Sequence, residues 1–287
     1  MPYTVAVSFD KFYENINLSG NHRDTANRRR DDIVTTLENK FDILDAFATG
    51  SIPRYTALKK HADLDVIVVL HYSKHTKGKL PSEVLQSIRD HLAQHKTNVR
   101  KNGQAVTLYY KTWPNVDIVP VSRLVDDNGK VTGYEIPDMN NEEWIKSKPK
   151  QHTSNLTSQA STCGTAFRQI ITMVKWWNHQ HSNYLQSYHI EVMAMKAFFG
   201  QLSDMSWDIF KFFDEASELI QSPLWYEGAF VDDYLTYTSR QEAQKRLKTA
   251  RDKASDAWYK TYDANSDHES AIAIWRQIFG GKFPAYG

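Results

Sequence analysis

The chain has 287 residues, 41% of them apolar, enough for one large core or two lobes, and its net charge of +1 argues against a strongly basic surface that wraps nucleic acid. Its only cysteine, Cys163, excludes an internal disulfide and fits a reducing compartment. No apolar run approaches the roughly 18 residues of a membrane span, and no charged segment precedes a hydrophobic one at the N-terminus, so a cytoplasmic protein with no membrane span or signal peptide is expected.

In chain order, residues 21–40 read as a charged helix, with Ile33, Leu37 and Phe41 recurring every four residues. Residues 43–48 read as a first core strand that ends in the turn Gly50-Ser51. Asp63-Leu64-Asp65 then leads into Val66-Ile67-Val68-Val69-Leu70, which is apolar on both faces and reads as a buried strand. A helix over 82–95 carries Val84, Leu85, Ile88 and Leu92 on one face. Val106, Leu108 and Tyr110 alternate as a strand, and Trp113-Pro114-Asn115 turns the chain into a third core strand, Val116-Asp117-Ile118-Val119. Pro120 predicts that this strand soon ends or lies near an edge. Asp126-Asp127-Asn128-Gly129 is a turn. From about residue 140 the pattern becomes helical: 165–180, 188–199, 206–219, 240–259 and 269–279, the last stopped by Gly280-Gly281. The expected division is a catalytic core over 1–140, with its first helix as a brace, and a helical lobe over 141–287.

The chemistry concentrates on three carboxylates. Side chains two residues apart share a strand face, so Asp63 and Asp65 can project together, and Asp117 joins them from another strand. Three such groups repel one another unless divalent cations neutralise them. Magnesium suits the task, two ions held by carboxylates, waters and substrate phosphates, and manganese can take its place. Ions about 4 Å apart activate a hydroxyl and stabilise a leaving pyrophosphate. Taken singly, Gly50-Ser51 is a turn and Asp63-Leu64-Asp65 a strand end; a lone buried Asp117 is harder to dismiss. His61, His71, His75, His91 and His95 match no zinc-ligand spacing and read as surface residues. Trp176, Trp177, Trp207, Phe210, Phe212 and Phe213 read as core of the helical lobe, and no basic stripe supports direct activation by DNA or RNA.

Gly50-Ser51, Asp63-Leu64-Asp65 and Asp117, then Val174-Lys175-Trp176-Trp177-Asn178, Gln186-Ser187-Tyr188-His189 and Trp275-Arg276-Gln277-Ile278-Phe279-Gly280, resemble the cGAS/DncV-like nucleotidyltransferases of bacterial anti-phage (CBASS) signalling. The three-Asp core alone is shared across the polymerase β-like superfamily; the helical motifs and the ending through Pro284 narrow it. The resemblance spans nearly the whole chain. It implies an α+β fold, a mixed-sheet nucleotidyltransferase core plus a helical lobe with the active site in the cleft between them. It implies a synthase that joins nucleoside triphosphates into a cyclic di- or trinucleotide. By the same resemblance Asp63 and Asp65 hold both metals, Asp117 ligates the catalytic one, and Gly50 and Ser51 contact the triphosphate, followed by Arg54 and Thr56. The family often has glycine where Tyr55 stands.

Lys175 and Ser187 match phosphate-contacting positions and Tyr188 a base-stacking one. Lys175 as a snorkelling surface residue, Ser187 as a helix N-cap and Tyr188 as core packing stand beside those readings. Some relatives are regulated by ubiquitin-like conjugation, for which Gly287 on a mobile last three residues is suited. Two other activities stay open: nucleotide addition to tRNA or a protein, and nucleotide binding without catalysis.

Overall fold

The computed structural model describes residues 2–18, 20–262 and 266–287. Two compact units divide it, one formed by Leu18–Asn155 and the other by the residues up to Asn17 together with Leu156–Gly287. The first helix, α1 (Val5–Ile16), belongs to the second unit. Val5, Phe9, Phe12 and Ile16 line its buried face at helical spacing, and Thr4 caps it by accepting the Val7 amide.

The core unit starts with α2 (Gly20–Glu38), β1 (Ile43–Thr49) and β2 (Leu64–Leu70), then a single turn, α3 (Tyr72–His75), and α4 (Pro81–His95). It continues through β3 (Val99–Asn102), β4 (Ala105–Leu108), β5 (Val116–Val125), β6 (Val131–Asp138) and β7 (Glu143–Ser147). The sheet runs β1-β2-β5-β4-β3, with β6 pairing the far end of β5 and β7 pairing β6. Among the described residues only β2 and β5 of this sheet pair in parallel; its other ladders are antiparallel. Leu64, Val66, Val68 and Leu70 of β2, with Val116 and Ile118 of β5, join Ile33 and Leu37 of α2 and Val84, Leu85, Ile88 and Leu92 of α4 in one core. Alternation then sends Asp65, Ile67 and Val69, with Asp117, Val119 and Val121, to the opposite face of the sheet. There Ile67, Val69, Val121 and Tyr134 form a smaller cluster.

Several expectations change. Pro120 does not end its strand: β5 runs on to Val125, because its ladder to β4 stops at Ile118 and that to β6 starts at Ser122, so the proline falls in the gap. His91 is buried, its ring 2.9 Å from the Thr36 carbonyl, so it braces the core and is not a surface group, while His75 is partly exposed and accepts the Asp42 amide at 2.9 Å.

The helical unit follows through α5 (Pro149–Cys163), α6 (Ala166–Gln180), α7 (Ser187–Ala197) and α8 (Met205–Leu219). A two-strand ribbon, β8 (Trp225–Tyr226) and β9 (Ala229–Phe230), leads to α9 (Tyr237–Tyr259) and α10 (His268–Phe279). The division between units falls inside α5, later than residue 140, because β6 and β7 still complete the sheet there. α1 packs against α6, α8 and α10. Phe9 meets Trp275 at 4.9 Å and Phe283 at 5.1 Å between ring centroids, and Phe12 meets Phe279 at 4.7 Å. Phe283 is therefore fully buried, and the Tyr286 carbonyl accepts the Tyr3 amide at 2.9 Å, so the end of the chain is tied down and not loose as far as Tyr286. Trp207 is 39% exposed, a surface aromatic and not core; it lies against Trp258.

Candidate active site

The core unit gathers its chemistry along one row of the sheet. Thr49 of β1 stands opposite Asp65 of β2, Asp65 opposite Asp117 of β5, and Asp117 opposite Thr107 of β4. Adjacent strands lie about 4.8 Å apart, so the two carboxylates, in register on neighbouring parallel strands, are forced neighbours. Asp63 sits exposed on the residue just before β2 and adds its charge to both.

The electrostatics follow from that crowding. Burial, then the charge of Asp117, push the Asp65 carboxyl up to about 7, against the pull of Arg54. Burial also raises Asp117, while a hydrogen bond from Thr107 Oγ1 to its Oδ1 at 2.5 Å draws it back. Thr107 is 2% exposed, and its role in fixing Asp117 was not foreseen from the sequence; the signal available was a polar residue inside the apolar run Ala105-Val106-Thr107-Leu108.

The turn after β1 is shaped around Asp65. Gly50 has φ +77°, and a Cβ there would lie 1.9 Å from Asp65 Oδ2, so only glycine lets this backbone approach the carboxylate. Ile52 and Ala57 anchor the loop in the core, and the Thr56 amide donates to the Ser51 carbonyl at 3.0 Å. Arg54 is 8% exposed. Tyr55 takes φ +60°, the conformation a glycine would adopt freely, and its ring lies beneath the Arg23 guanidinium at 4.7 Å. On the other side, Arg29 binds the Thr112 carbonyl and hydroxyl, both at 2.7 Å, and thereby braces the loop that delivers Asp117.

Gly50, Ser51, Arg54, Asp63, Asp65 and Asp117 thus all belong to one compact unit, whereas Lys175, Ser187 and Tyr188 belong to the helical unit. Lys175 is buried with its ammonium 2.7 Å from Glu191, which is itself fully buried. It does not snorkel. Ser187 is exposed and is the first residue of α7, after an N-cap at Gln186, so it is not the cap. Tyr188 is half-buried against Tyr226 at 6.0 Å. The other motif residues hold this unit together. Asn178 donates to the Leu185 carbonyl at 2.7 Å and accepts the Leu185 amide at 3.0 Å, and the Trp176 indole donates to the Phe279 carbonyl at 2.9 Å.

Among the described residues no group of three or more His, Cys, Asp or Glu side chains is placed to hold a metal ion. The donor set nonetheless has the chemistry of a site for hard divalent cations: oxygen only, with Asp65 and Asp117 opposed in register and both raised chiefly by burial.

A mixed sheet that presents three carboxylates beside a small-residue turn, joined to a helical unit, is the architecture of a polymerase β-like nucleotidyltransferase. Residues 3–159 match the Second Messenger Oligonucleotide or Dinucleotide Synthetase domain, and the chain belongs to that family, among the cGAS/DncV-like nucleotidyltransferases that make cyclic oligonucleotides. The cyclic AMP-AMP-AMP synthase of Acinetobacter sp. (strain ATCC 27244 / 9458) is 23% identical over 270 residues, covering 83% of this chain and 72% of that one. The fold is similar to that of CdnC from E. coli MS115-1, solved as a complex with HORMA-deltaN, with a TM-score of 0.78 at 16% identity over 97% of this chain and 98% of that one. It is also similar to Bradyrhizobium diazoefficiens CdnG, solved with GTP, with a TM-score of 0.75 at 13% identity over 96% and 95%.

Proposed function

We propose that the chain makes its cyclic oligonucleotide from nucleoside triphosphates, ATP or GTP among them, at Asp63, Asp65 and Asp117 in the presence of magnesium, in the cytoplasm and in defence against phage. The observation that carries this is the in-register pair Asp65 and Asp117, held on adjacent strands beneath a glycine that admits no side chain. Gly50 and Ser51 hold the triphosphate through backbone amides and the Ser51 hydroxyl, as small-residue turns bind anions. A 2′ or 3′ hydroxyl oxygen attacks the α-phosphorus, the bond to the β-phosphate oxygen breaks, and pyrophosphate leaves. Asp117, fixed by Thr107, accepts the hydroxyl proton and passes it to solvent. A second or third round closes the ring. Divalent ions held by the three carboxylates supply charge neutralisation and hydroxyl activation when bound.

The HORMA complex of the E. coli relative supports control by a regulatory protein. Conjugation through Gly287 by a ubiquitin-like system rests on the family resemblance alone, and the mass of the chain co-expressed with such enzymes tests it. For the activity, purified protein is incubated with four labelled nucleoside triphosphates and magnesium, then treated with phosphatase. A resistant small product that disappears with EDTA is expected. Label that is phosphatase-sensitive or attached to tRNA or protein overturns the reading.

A further inference from the structure

A groove in the helical unit carries more positive charge than its surroundings answer. It lies between α9 and the last turns of α6 and α10 and encloses about 270 Å³, just under the lower end of the size range of small-molecule pockets. Its floor is apolar: Trp177, Ala250 and Ile278 are each no more than 3% exposed. Lys245, Arg246 and Lys253 line its wall, with Glu242 the one carboxylate among the lining residues. Positions 245, 249 and 253 are four apart, so one face of α9 holds both lysines, two turns from each other with Thr249 between them.

None of the three cations enters an ion pair among the described residues; the α9 pairs are Arg240 with Asp232 and Arg251 with Asp214 and Asp252. The Arg246 guanidinium lies over the Tyr184 ring at 5.1 Å, and its Nε is buried with no hydrogen-bond partner among the described residues. A buried donor left unpaired is costly unless a ligand meets it. Nor do the nearby helix C-termini claim these charges. The Trp177 and Asn178 carbonyls accept the amides of His181 and Asn183, the His181 ring meets the Ile278 carbonyl, and the Trp176 indole meets that of Phe279.

We infer that this groove is a second anion site, separate from the three carboxylates, which takes the phosphates of a small nucleotide between Lys245, Arg246 and Lys253 over the apolar floor. The inference does not rest on the catalytic reading. Hydrogen exchange read by mass spectrometry on the full chain tests it, with ATP titrated in EDTA so that no divalent ion recruits nucleotide to the carboxylates. Saturable protection of peptides spanning 176–183 and 242–253 is expected, absent with adenosine, which lacks the phosphates. Lys245→Ala with Lys253→Ala should weaken that protection at least about tenfold, since each charge-assisted contact is worth about a decade in affinity. The double variant should keep wild-type melting and basal synthesis. No protection at millimolar ATP, equal protection by adenosine, or protection by duplex DNA where ATP gives none overturns the proposal.

Discussion

Asp65 shows how a single side chain records the needs of a site. It stands between Thr49 and Asp117 in the sheet, under a glycine turn, with its carboxyl pushed up to about 7. A carboxyl whose folded pKa exceeds the unfolded value of 3.8 binds its proton more tightly in the native state. Its effect is harmless below about pH 4 and grows unfavourable as pH rises to about 7. Asp65→Asn should therefore melt higher than wild type at pH 8 without metal, by on the order of 1–3 kcal/mol after allowance for its partial exposure, yet equally at pH 4. Its cyclic product should vanish. Thermal melts at the two pH values decide the matter, and a lower melting point at pH 8 would mean that Arg54 already satisfies the carboxylate. The three aspartates were legible from sequence because charge inside apolar runs is conspicuous. Thr107 was not, since a threonine in a strand is ordinary until its partner is known.

At the scale of elements, α7 begins where two groups share one hydroxyl. The Tyr234 oxygen accepts the Gln186 amide at 2.9 Å and shares a second hydrogen bond with His189 Nδ1 at 2.9 Å. Burial pushes His189 down to about 4 and the Tyr234 hydroxyl up to about 12, so the neutral imidazole is the native form. An unfolded histidine gains its proton near 6.5, so this contribution to stability is complete above that pH and is lost as pH falls toward 4. Replacing His189 by Gln should lower stability overall yet flatten its decline between pH 6.5 and 4.5, as denaturant midpoints would show. An unchanged slope would place the acid sensitivity elsewhere. Helices with strong apolar periodicity, such as α4 and α6, were readable in advance. α5 was not: Ser, Thr, Asn and Gln fill it, and its buried stripe is only His152, Leu156, Ala160 and Cys163, one residue per turn. α1 did carry a readable stripe, Val5, Phe9, Phe12 and Ile16, but its partners lie at the other end of the chain.

Across the whole molecule, the core unit is one unbroken stretch of chain and the helical unit is made of two, with α1 supplying the first. Local pattern located the change from mixed to helical structure near residue 140, but only long-range packing could assign α1. Phe12→Ala removes a fully buried ring packed at a tilt against Phe279 and Phe283, which should cost about 3–5 kcal/mol. Limited proteolysis of that variant should cut within 156–287 well before 18–155. Simultaneous loss of both would show that the units melt together.

The arrangement of α1 also sets a timetable for synthesis. Phe9 and Phe12 are made about 270 residues before Phe279 and Phe283, which cover them. At about 5–20 residues per second, a greasy N-terminal helix waits for on the order of tens of seconds before its mates exist. The nascent chain meanwhile has every residue of its sheet and can fold it, so a ribosome that stalls late leaves a folded catalytic core attached to an unfinished helical unit. Such a product is the natural client of chaperones that shield an exposed apolar helix face.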